Sequence, residues 1–216
     1  MHRADALLYK LVWNKTKDKK NYKKYSMENY MERMEQLYDE IVKLFEMSNS
    51  HFIHRNKELF RSNVAERTLC GSLKESIDCI KAESKYKNYF ADVEYNRKQN
   101  GKVKTIINNE LEVIKINCDL ILHSRGQNVK LDNLIAIEMK KSKRPLQEKI
   151  DDKNRLIALT KDTYDDVWCY DGKTLPEHVC RYILGVYYEI DIKKKIIYLE
   201  YYRRGIVVDS KIINIE

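Results

Sequence analysis

Proline and glycine are scarce in this sequence, with two and six copies among 216 residues. So few turn-forming residues exclude the collagen-like, proline-rich and low-complexity linker classes. No apolar run approaches the length that spans a bilayer, and no N-terminal signal peptide is visible. We therefore expect a soluble, cytoplasmic protein with one sizeable core, because a chain of this length suits one core with or without a small helical appendage.

Paired cysteines are also absent. The five cysteines, an odd number, include no C-x-x-C pair and no histidine at zinc-finger spacing. Cys118 lies inside an apolar strand pattern, where a buried thiol is the ordinary outcome. We predict that the cysteines are reduced and structural, as in cytosolic proteins. They are Cys70, Cys79, Cys118, Cys169 and Cys180.

Positive charge is in excess, with a formal net charge of +8. This balance is compatible with a polyanionic partner such as nucleic acid, although many basic proteins bind none. The lysines are dispersed, and their densest run covers residues 15–24. That run fits a solvated stretch as well as a phosphate-binding one.

Residues 1–50 are predicted to be helical. Apolar residues recur there at alternating spacings of three and four, which places them on one helix face. They are Met27, Tyr30, Met34, Leu37, Ile41 and Leu44. We expect this face to pack against the rest of the protein, with a homodimer through the same face as the alternative. Residues 1–62 are accordingly predicted as a helical extension, and residues 63–216 as the core.

The rest of the chain predicts a second helix, then strands, then a third helix and further strands. The second helix runs from Asn63, a candidate cap, to Lys81, and the third over residues 146–161. The strands are predicted at residues 89–95, 102–107, 114–123, 134–140, 181–190, 195–202 and 206–215. This order is typical of an α/β sheet with helices on its faces.

Charged residues interrupt two of the most apolar strands. Glu138 and Lys140 share one strand face because side chains alternate along a strand. Asp119 begins the preceding apolar run, and the loop between the two strands suits an antiparallel return. Asp119 and Glu138 should then lie near each other across the strand pair.

Two carboxylates among apolar residues should repel each other, and burying their charges costs free energy. A divalent cation resolves both problems, and Mg²⁺ prefers one or two carboxylates with waters and phosphate oxygens. A Glu-x-Lys pair on a strand is often only a solvated face. Here the flanking runs are apolar on both faces, which indicates buried central strands and favours a site.

Three stretches of the sequence together resemble one superfamily. They read INCDLILHSRG, NLIAIEMKKS and DDKNRLIAL, and they are similar to the PD-(D/E)xK phosphodiesterases of restriction-endonuclease-like fold. The nearest pattern is that of small bacterial members, most of them uncharacterised, which read roughly P-D-I-I-x-H-x-R-G and then N-L-x-x-I-E-x-K-K. The resemblance covers about residues 63–190. It implies an αβββαβ core, a mixed central sheet flanked by helices, here with an N-terminal helical extension and extra C-terminal strands.

The resemblance also implies a role for each matching residue. Asp119 and Glu138 would bind Mg²⁺ or Mn²⁺, and the backbone carbonyl of Met139 would be a further ligand. Lys140 would orient or deprotonate the attacking water. Glu66 matches the acidic residue that many members supply from the preceding helix, as a catalytic residue and metal ligand.

Two features leave alternatives open. Asn63 and Glu66 also fit a capping box, in which Glu66 would bond back to the Asn63 amide. Cys118 stands where the superfamily usually has proline, a position at which proline is commonly replaced.

Several basic residues near these motifs are candidate nucleic-acid contacts. His123 and Arg125 match the H-x-R of the nearest relatives, although a hydrogen-bonded strand-end histidine is favoured over a metal ligand. Lys141, Lys143 and Arg144 follow the catalytic strand, where a solvated basic turn is an equal alternative. Lys153 and Arg155 lie on the next helix, where many relatives place a polar or basic residue facing the site. The strand tyrosines are predicted to pack within the sheet rather than to stack on bases.

The sequence therefore predicts a magnesium-dependent endonuclease that acts on nucleic acid, DNA rather than RNA. The alternative from another class is a binding or structural subunit that keeps the fold without catalysis. The complete set of Asp119, Glu138 and Lys140 argues against such a decayed site.

Overall fold

The computed structural model describes residues 21–94, 105–107, 113–115, 118–164, 168–169 and 181–215. Within these ranges the helices are α1 (Asn21–Arg55), α2 (Lys57–Arg61), α3 (Glu66–Ala82) and α4 (Leu146–Thr160). The strands are β1 (Phe90–Val93), β2 (Thr105–Ile107), β3 (Val113–Lys115), β4 (Leu120–His123), β5 (Asn133–Lys141), β6 (Thr163–Tyr164), β7 (Trp168–Cys169), β8 (Leu184–Asp191), β9 (Ile196–Arg203) and β10 (Ile206–Asn214).

Six strands form one mixed sheet in the order β1-β4-β5-β8-β9-β10. β1, β4 and β5 are antiparallel neighbours, β5 and β8 are parallel, and β9 and β10 continue antiparallel. A parallel pair needs a crossover connection, and α4 lies within it. The β2–β3 and β6–β7 hairpins form separate two-stranded sheets. The α/β class expected from the sequence is confirmed.

Strand β5 lies in the interior of the sheet, and both of its faces are apolar. Three side chains are fully buried in the core that includes α1 and α3: Ile135, Ile137 and Met139. Ala136, on the opposite face, belongs to the cluster that contains Leu156 of α4. The predicted alternation of faces is confirmed, and it leaves Glu138 and Lys140 on the α4 side of the sheet.

The long helix α1 is part of the larger core. Ile41, Phe45 and Phe52 have no exposed surface, and Leu44 is 6% exposed. The predicted packing of this helix face against the rest of the protein is therefore confirmed at Ile41 and Leu44. Because these two residues are enclosed within their own chain, they cannot contribute to the alternative homodimer face, and the side chain of Met27 lies outside the described residues.

Helix α3 begins later than the sequence predicted. It starts at Glu66 rather than Asn63, its N-cap is Ala65, and no side chain caps it. Asn63 adopts a left-handed φ of 51°, and its side-chain oxygen accepts from Lys141 Nζ at 2.9 Å. The capping-box interpretation of Asn63 and Glu66 is therefore wrong, because both side chains bond to the end of β5 instead.

The strand predicted over residues 114–123 is divided in the structure. β3 pairs with β2, with Ile114 opposite Ile106, whereas β4 pairs with β1 and β5. The four residues of β1 pair with Leu120–His123 of β4. The predicted last strand is confirmed as β10.

Other predictions meet mixed outcomes. Ile150 was predicted in the apolar stripe of α4, but it is 39% exposed. The buried apolar side chains begin six residues later and are Leu156, Ala158 and Leu159. Several predicted features lie outside the described residues: the start of the lysine run (15–20), Tyr95, the turns at 99–102 and 171–172, and Cys180.

The cysteines that the structure describes in full carry free thiols. Cys70 and Cys118 are buried, and Cys79 is exposed. The Cys118 thiol donates to the Ile137 carbonyl at 3.2 Å, and burial raises the pKa of this thiol well above its ordinary value. None of the helices in the described part of the chain is both long enough and apolar enough to cross a membrane.

A test of the core packing is the substitution Gly185→Ala in β8. A Cβ there would lie 2.9 Å from Thr160 Cγ2 and 3.0 Å from Tyr202 Cβ. We expect the free energy of unfolding to fall by about 1–3 kcal/mol, as overpacking usually costs. Urea unfolding followed by circular dichroism measures it. The matched control is Gly71→Ala in α3, where nothing lies within 4 Å. This control should stabilise by about 0.5–1 kcal/mol, and equal effects of the two variants would contradict the packing described.

Candidate active site

The pairing of β4 with β5 brings the two predicted carboxylates together. Leu120 lies opposite Ile137, so the next position back along β4, Asp119, lies beside Glu138. Asp119 Oδ2 accepts from the Met139 backbone N–H at 2.8 Å. Burial raises the pKa of Asp119 above its ordinary value, and the Met139 N–H opposes part of that rise. The predicted proximity of Asp119 to the Glu138 segment of β5 is confirmed.

Glu138 is the most enclosed charged group of this region, with no exposed surface. Its Oε1 accepts from Arg155 Nε of α4 at 2.8 Å. Its Oε2 is buried and has no hydrogen-bonding partner among the described residues. Burial raises the pKa of Glu138 well above its ordinary value; the Arg155 guanidinium opposes this rise, and the nearby Asp119 charge adds to it. One carboxylate oxygen is therefore available to a ligand inside the fold.

Helix α4 contributes a third acidic residue, which the sequence analysis missed. Asp152 is 2% exposed and forms ion pairs with Arg155, one turn along α4, and with Lys140 Nζ at 2.9 Å. Burial raises the pKa of Asp152, and the Lys140 ammonium opposes this rise. The available signal in the sequence was the three-residue spacing of Asp152 and Arg155, which places them on one helix face.

Lys140 is held in the charged state by this arrangement. Burial on its own lowers the pKa of Lys140, but Asp152 and the charge of Asp119 outweigh burial and raise the pKa above its ordinary value. Asp119, Glu138 and Asp152 thus face Lys140 and Arg155. When all five are ionised, the cluster carries one net negative charge, which attracts a cation.

Glu66 joins α3 to the end of β5. Its Oε1 accepts from the Lys141 backbone N–H at 2.9 Å, and both of its oxygens accept from Arg144 at 3.0 Å. Burial opposes ionisation of Glu66, but Arg144 and the Lys141 N–H lower its pKa below the ordinary value. The side chain of Lys141 bonds to Asn63 at 2.9 Å. Lys141 and Arg144 are therefore engaged in contacts within the chain, and a metal-binding role for Glu66 stays a prediction.

His123 and Arg125 lie at the other end of β4 from Asp119. Four residues of strand separate the two positions by about 13 Å. His123 is 1% exposed, and its Nε2 lies 2.9 Å from Asp92 Oδ2. Arg125 binds both oxygens of Asp92 and lies over the Phe90 ring. The interpretation of His123 as a hydrogen-bonded strand-end histidine is confirmed, and neither residue lies near Asp119.

The partner of these two residues, Asp92, was not singled out from the sequence. Burial opposes its ionisation, but Arg125 and His123 together lower the pKa of Asp92 below the ordinary value. This trio ties β1 to the loop after β4, at the end of that strand opposite to Asp119.

The two remaining lysine candidates differ in their surroundings. Lys153 binds Glu200 of β9 at 2.8 Å and lies over the Tyr187 ring. Lys143 is exposed in the turn after β5. The predicted packing role of the strand tyrosines is confirmed for those that are almost fully buried: Tyr187, Tyr188, Tyr201 and Tyr202.

The donor set suits a metal site with few protein ligands. Among the described residues, no three His, Cys, Asp or Glu side chains are grouped so that they could enclose an ion. Mg²⁺ needs no such cage, because it keeps several waters and binds through one or two carboxylates and substrate oxygens. Asp119 and the unpartnered oxygen of Glu138 fit that pattern. Binding through the Met139 carbonyl stays a prediction.

Comparison with known proteins adds no relative. No protein-family model, no curated protein and no solved structure matches this chain. The resemblance to the PD-(D/E)xK phosphodiesterases therefore stays a prediction from the sequence.

The buried pair is tested by Arg155→Met, which removes the charged partner of Glu138 and keeps much of the aliphatic volume. We expect the free energy of unfolding at pH 8 to fall by about 3–5 kcal/mol, as happens when one partner of a buried ion pair is lost. The ordinary pKa of Glu138 is 4.5 and its folded pKa is higher. The folded state therefore holds the proton more tightly, and stability falls as pH rises through that interval.

Losing Arg155 raises the folded pKa of Glu138 further, so the variant should lose stability with rising pH more steeply than the wild type. Urea unfolding at pH 6 and at pH 8 measures the difference. The control is Arg155→Met combined with Glu138→Gln, which removes the buried charge and should recover most of the stability at pH 8. A loss in the single variant that does not depend on pH would contradict the pairing.

Proposed function

We propose that this chain is a metal-dependent nuclease that hydrolyses phosphodiester bonds in DNA, built on the restriction-endonuclease-like fold. The observation that supports it best is the buried carboxylate of Glu138. One of its oxygens has no partner among the described residues, and Asp119 and Lys140 lie beside it. A buried carboxylate oxygen without a donor is costly unless it binds something.

The order of elements also supports this fold assignment. α3 is followed by the antiparallel strands β1, β4 and β5, then by α4 and the parallel strand β8. That order is the αβββαβ core that the resemblance implies. The β2–β3 hairpin is then an insertion, β9 and β10 are additional strands, and α1 is the N-terminal extension.

In the proposed site, Asp119 and Glu138 hold the metal from adjacent strands. A bound Mg²⁺ or Mn²⁺ ion would supply an activated water and would stabilise the charge that develops on phosphorus. The protein's part is to position the two carboxylates. Asp119 is held by the Met139 N–H at 2.8 Å, and Glu138 is held by Arg155 at 2.8 Å.

Lys140 acts in this proposal as a hydrogen-bond donor and a positive charge. Its pKa is raised above the ordinary value by Asp152 and Asp119, despite the opposing effect of burial. A lysine that stays protonated cannot take a proton from water. It can orient the water or stabilise the phosphoryl oxygens. Of the two roles that the resemblance implies for Lys140, orientation of the water is thus favoured over its deprotonation.

The positive charge of the chain supports the binding of DNA. The net charge of +8 favours a polyanion. Arg144 keeps about half of its side chain exposed while it binds Glu66, and Lys143 is exposed beside it. Both lie in the turn that follows β5, so they would meet phosphates next to the carboxylates.

One observation favours a second candidate, a subunit that keeps the fold without catalysis. Glu138 is already paired with Arg155, and Lys140 with Asp152. Such pairs could neutralise the cluster as a purely structural network. The two candidates differ in whether a divalent ion binds at Asp119 and Glu138.

The catalytic proposal is tested by incubating the purified chain with plasmid, linear duplex and single-stranded DNA, and with RNA, with and without Mg²⁺ or Mn²⁺. We expect metal-dependent cleavage of DNA. Asp119→Asn and Lys140→Met should each lower the rate at least about 100-fold, because each removes a group aimed at the reacting phosphate or at its metal.

The matched control for these variants is Lys87→Ala. Lys87 is exposed and precedes β1. The start of β1 pairs with His123, at the end of β4 remote from Asp119, so this variant should cleave like the wild type. Thermal unfolding shows whether each variant is folded. A wild type that cleaves none of the substrates, or a folded Asp119→Asn variant with full activity, would refute the catalytic proposal.

Metal binding is tested without catalysis by the thermal stability of the chain in Mn²⁺. Protons compete with the metal for carboxylates, and burial raises the pKa of Asp119 and of Glu138 above their ordinary values of 3.8 and 4.5. We therefore expect Mn²⁺ to raise the Tm little at pH 5.5 and more at pH 8, where both groups lose their protons more readily. Asp119→Asn should weaken this shift. A silent structural subunit should show the same Tm with and without Mn²⁺ at every pH.

A further inference from the structure

Strand β10 is one edge of the six-stranded sheet. It pairs with β9 on one side, and no described strand pairs with its other side. Half of the large hydrophobic side chains that the described residues expose lie on it, with 43–67% exposed surface: Ile206, Val207, Val208 and Ile212. A long apolar edge of this kind is a template for pairing with a further strand.

The backbone of β10 is oriented for such pairing. The Ile215 N–H donates to the Lys195 carbonyl beside β9 at 2.8 Å. Because N–H groups alternate sides along an antiparallel strand, those of Ser210 and Ile212 point away from β9. The Ser210 N–H bonds to its neighbour Asp209 at 2.8 Å. A carbonyl of an incoming strand could replace that side-chain oxygen.

The charges on β10 of one copy complement the charges on β10 of a second copy. If two copies pair antiparallel with Ser210 at the centre, Asp209 of each copy lies opposite Lys211 of the other. Two-fold symmetry makes this contact twice. Lys211 also binds Glu46 of α1 in its own chain, so Asp209 of the other copy would join an existing ion pair. Opposite charges directly across two strands stabilise a sheet.

Neighbouring registers lose this complementarity. Centring the pair on Lys211 puts two ammonium groups opposite each other, and centring it on Asp209 does the same with two carboxylates. Centring it on Ile212 puts Lys211 opposite Ile213. Strand β10 has a bulge between Val207 and Asp209, so regular pairing is confined to the segment from Asp209 onward, which contains the charged pair.

We propose that the partner of this edge is a second copy of the chain, paired antiparallel through β10 and centred on Ser210. The two six-stranded sheets then continue into one. Pairing with an unrelated strand would not require Asp209 and Lys211 of the same strand to match each other across the interface. Strands β8 and β9 lie between β10 and β5, so this interface does not involve Asp119 or Glu138 and does not depend on the proposed nuclease activity.

The experiment is the molar mass of the full chain in solution, measured by light scattering and sedimentation over about a hundredfold range of concentration. The wild type should form dimers. Asp209→Lys and Lys211→Asp, tested singly, each place like charges opposite each other twice. Each should raise the dimer dissociation constant about tenfold or more. The double variant Asp209→Lys with Lys211→Asp restores opposite charges and should restore the dimer. All of these variants are compared in a Glu46→Gln background, because Lys211 also binds Glu46 of α1 in its own chain.

A backbone variant tests the same interface independently of charge. Ser210→Pro removes an N–H that points away from β9, and proline is tolerated at such an edge position. It should abolish the dimer while the Tm of the monomer stays near that of the wild type. Asp119→Asn, far from β10, should leave the dimer intact.

A wild type that stays monomeric over the whole range would overturn the proposal, whatever else covers β10. A dimer that survives both Asp209→Lys and Ser210→Pro would overturn it as well, because the interface would then lie elsewhere, for example on the exposed part of α1. Failure of the double variant to dimerise while it remains folded would refute the register centred on Ser210.

Discussion

The burial of Glu138 in the middle of the sheet is the constraint on which the rest of the site depends. A fully buried carboxylate is costly to ionise, so the elements around it must supply positive charge. α4 does so through Arg155, which binds Glu138 at 2.8 Å, and Asp152 on the same helix then fixes Lys140 at 2.9 Å. The crossover helix between the parallel strands is therefore attached to the sheet by charge as well as by Leu156 and Leu159.

This arrangement leaves one carboxylate oxygen without a donor among the described residues, which is the strongest indication of a ligand. The same pairs also allow a structural explanation, because they neutralise most of the cluster. In the proposed function the carboxylates would hold a metal, and the raised pKa of Lys140 favours a lysine that stays charged. The apolar edge at β10 is separated from this cluster by strands β8 and β9.

Part of the fold and of the site could be predicted from the sequence because the responsible signals are local. The two-residue alternation in residues 134–140 placed Glu138 and Lys140 on one face, and the antiparallel return placed Asp119 beside them. The spacings of three and four residues likewise predicted the apolar face of α1. The start of α3 was mispredicted, because the side chains of Asn63 and Glu66 bond to Lys141 and Arg144, some 75 residues further along the chain.

The sequence by itself determined the periodicities, the net positive charge, the α/β class and the short list of carboxylates. Only the tertiary structure decided which charges meet. Asp152 lies in the acidic cluster, although the sequence analysis did not include it. His123 and Arg125 bind Asp92 instead, because Asp119 and His123 lie at opposite ends of β4. Which ion pairs form depends on strand order and helix placement, and these arise from packing between distant segments that no local pattern encodes.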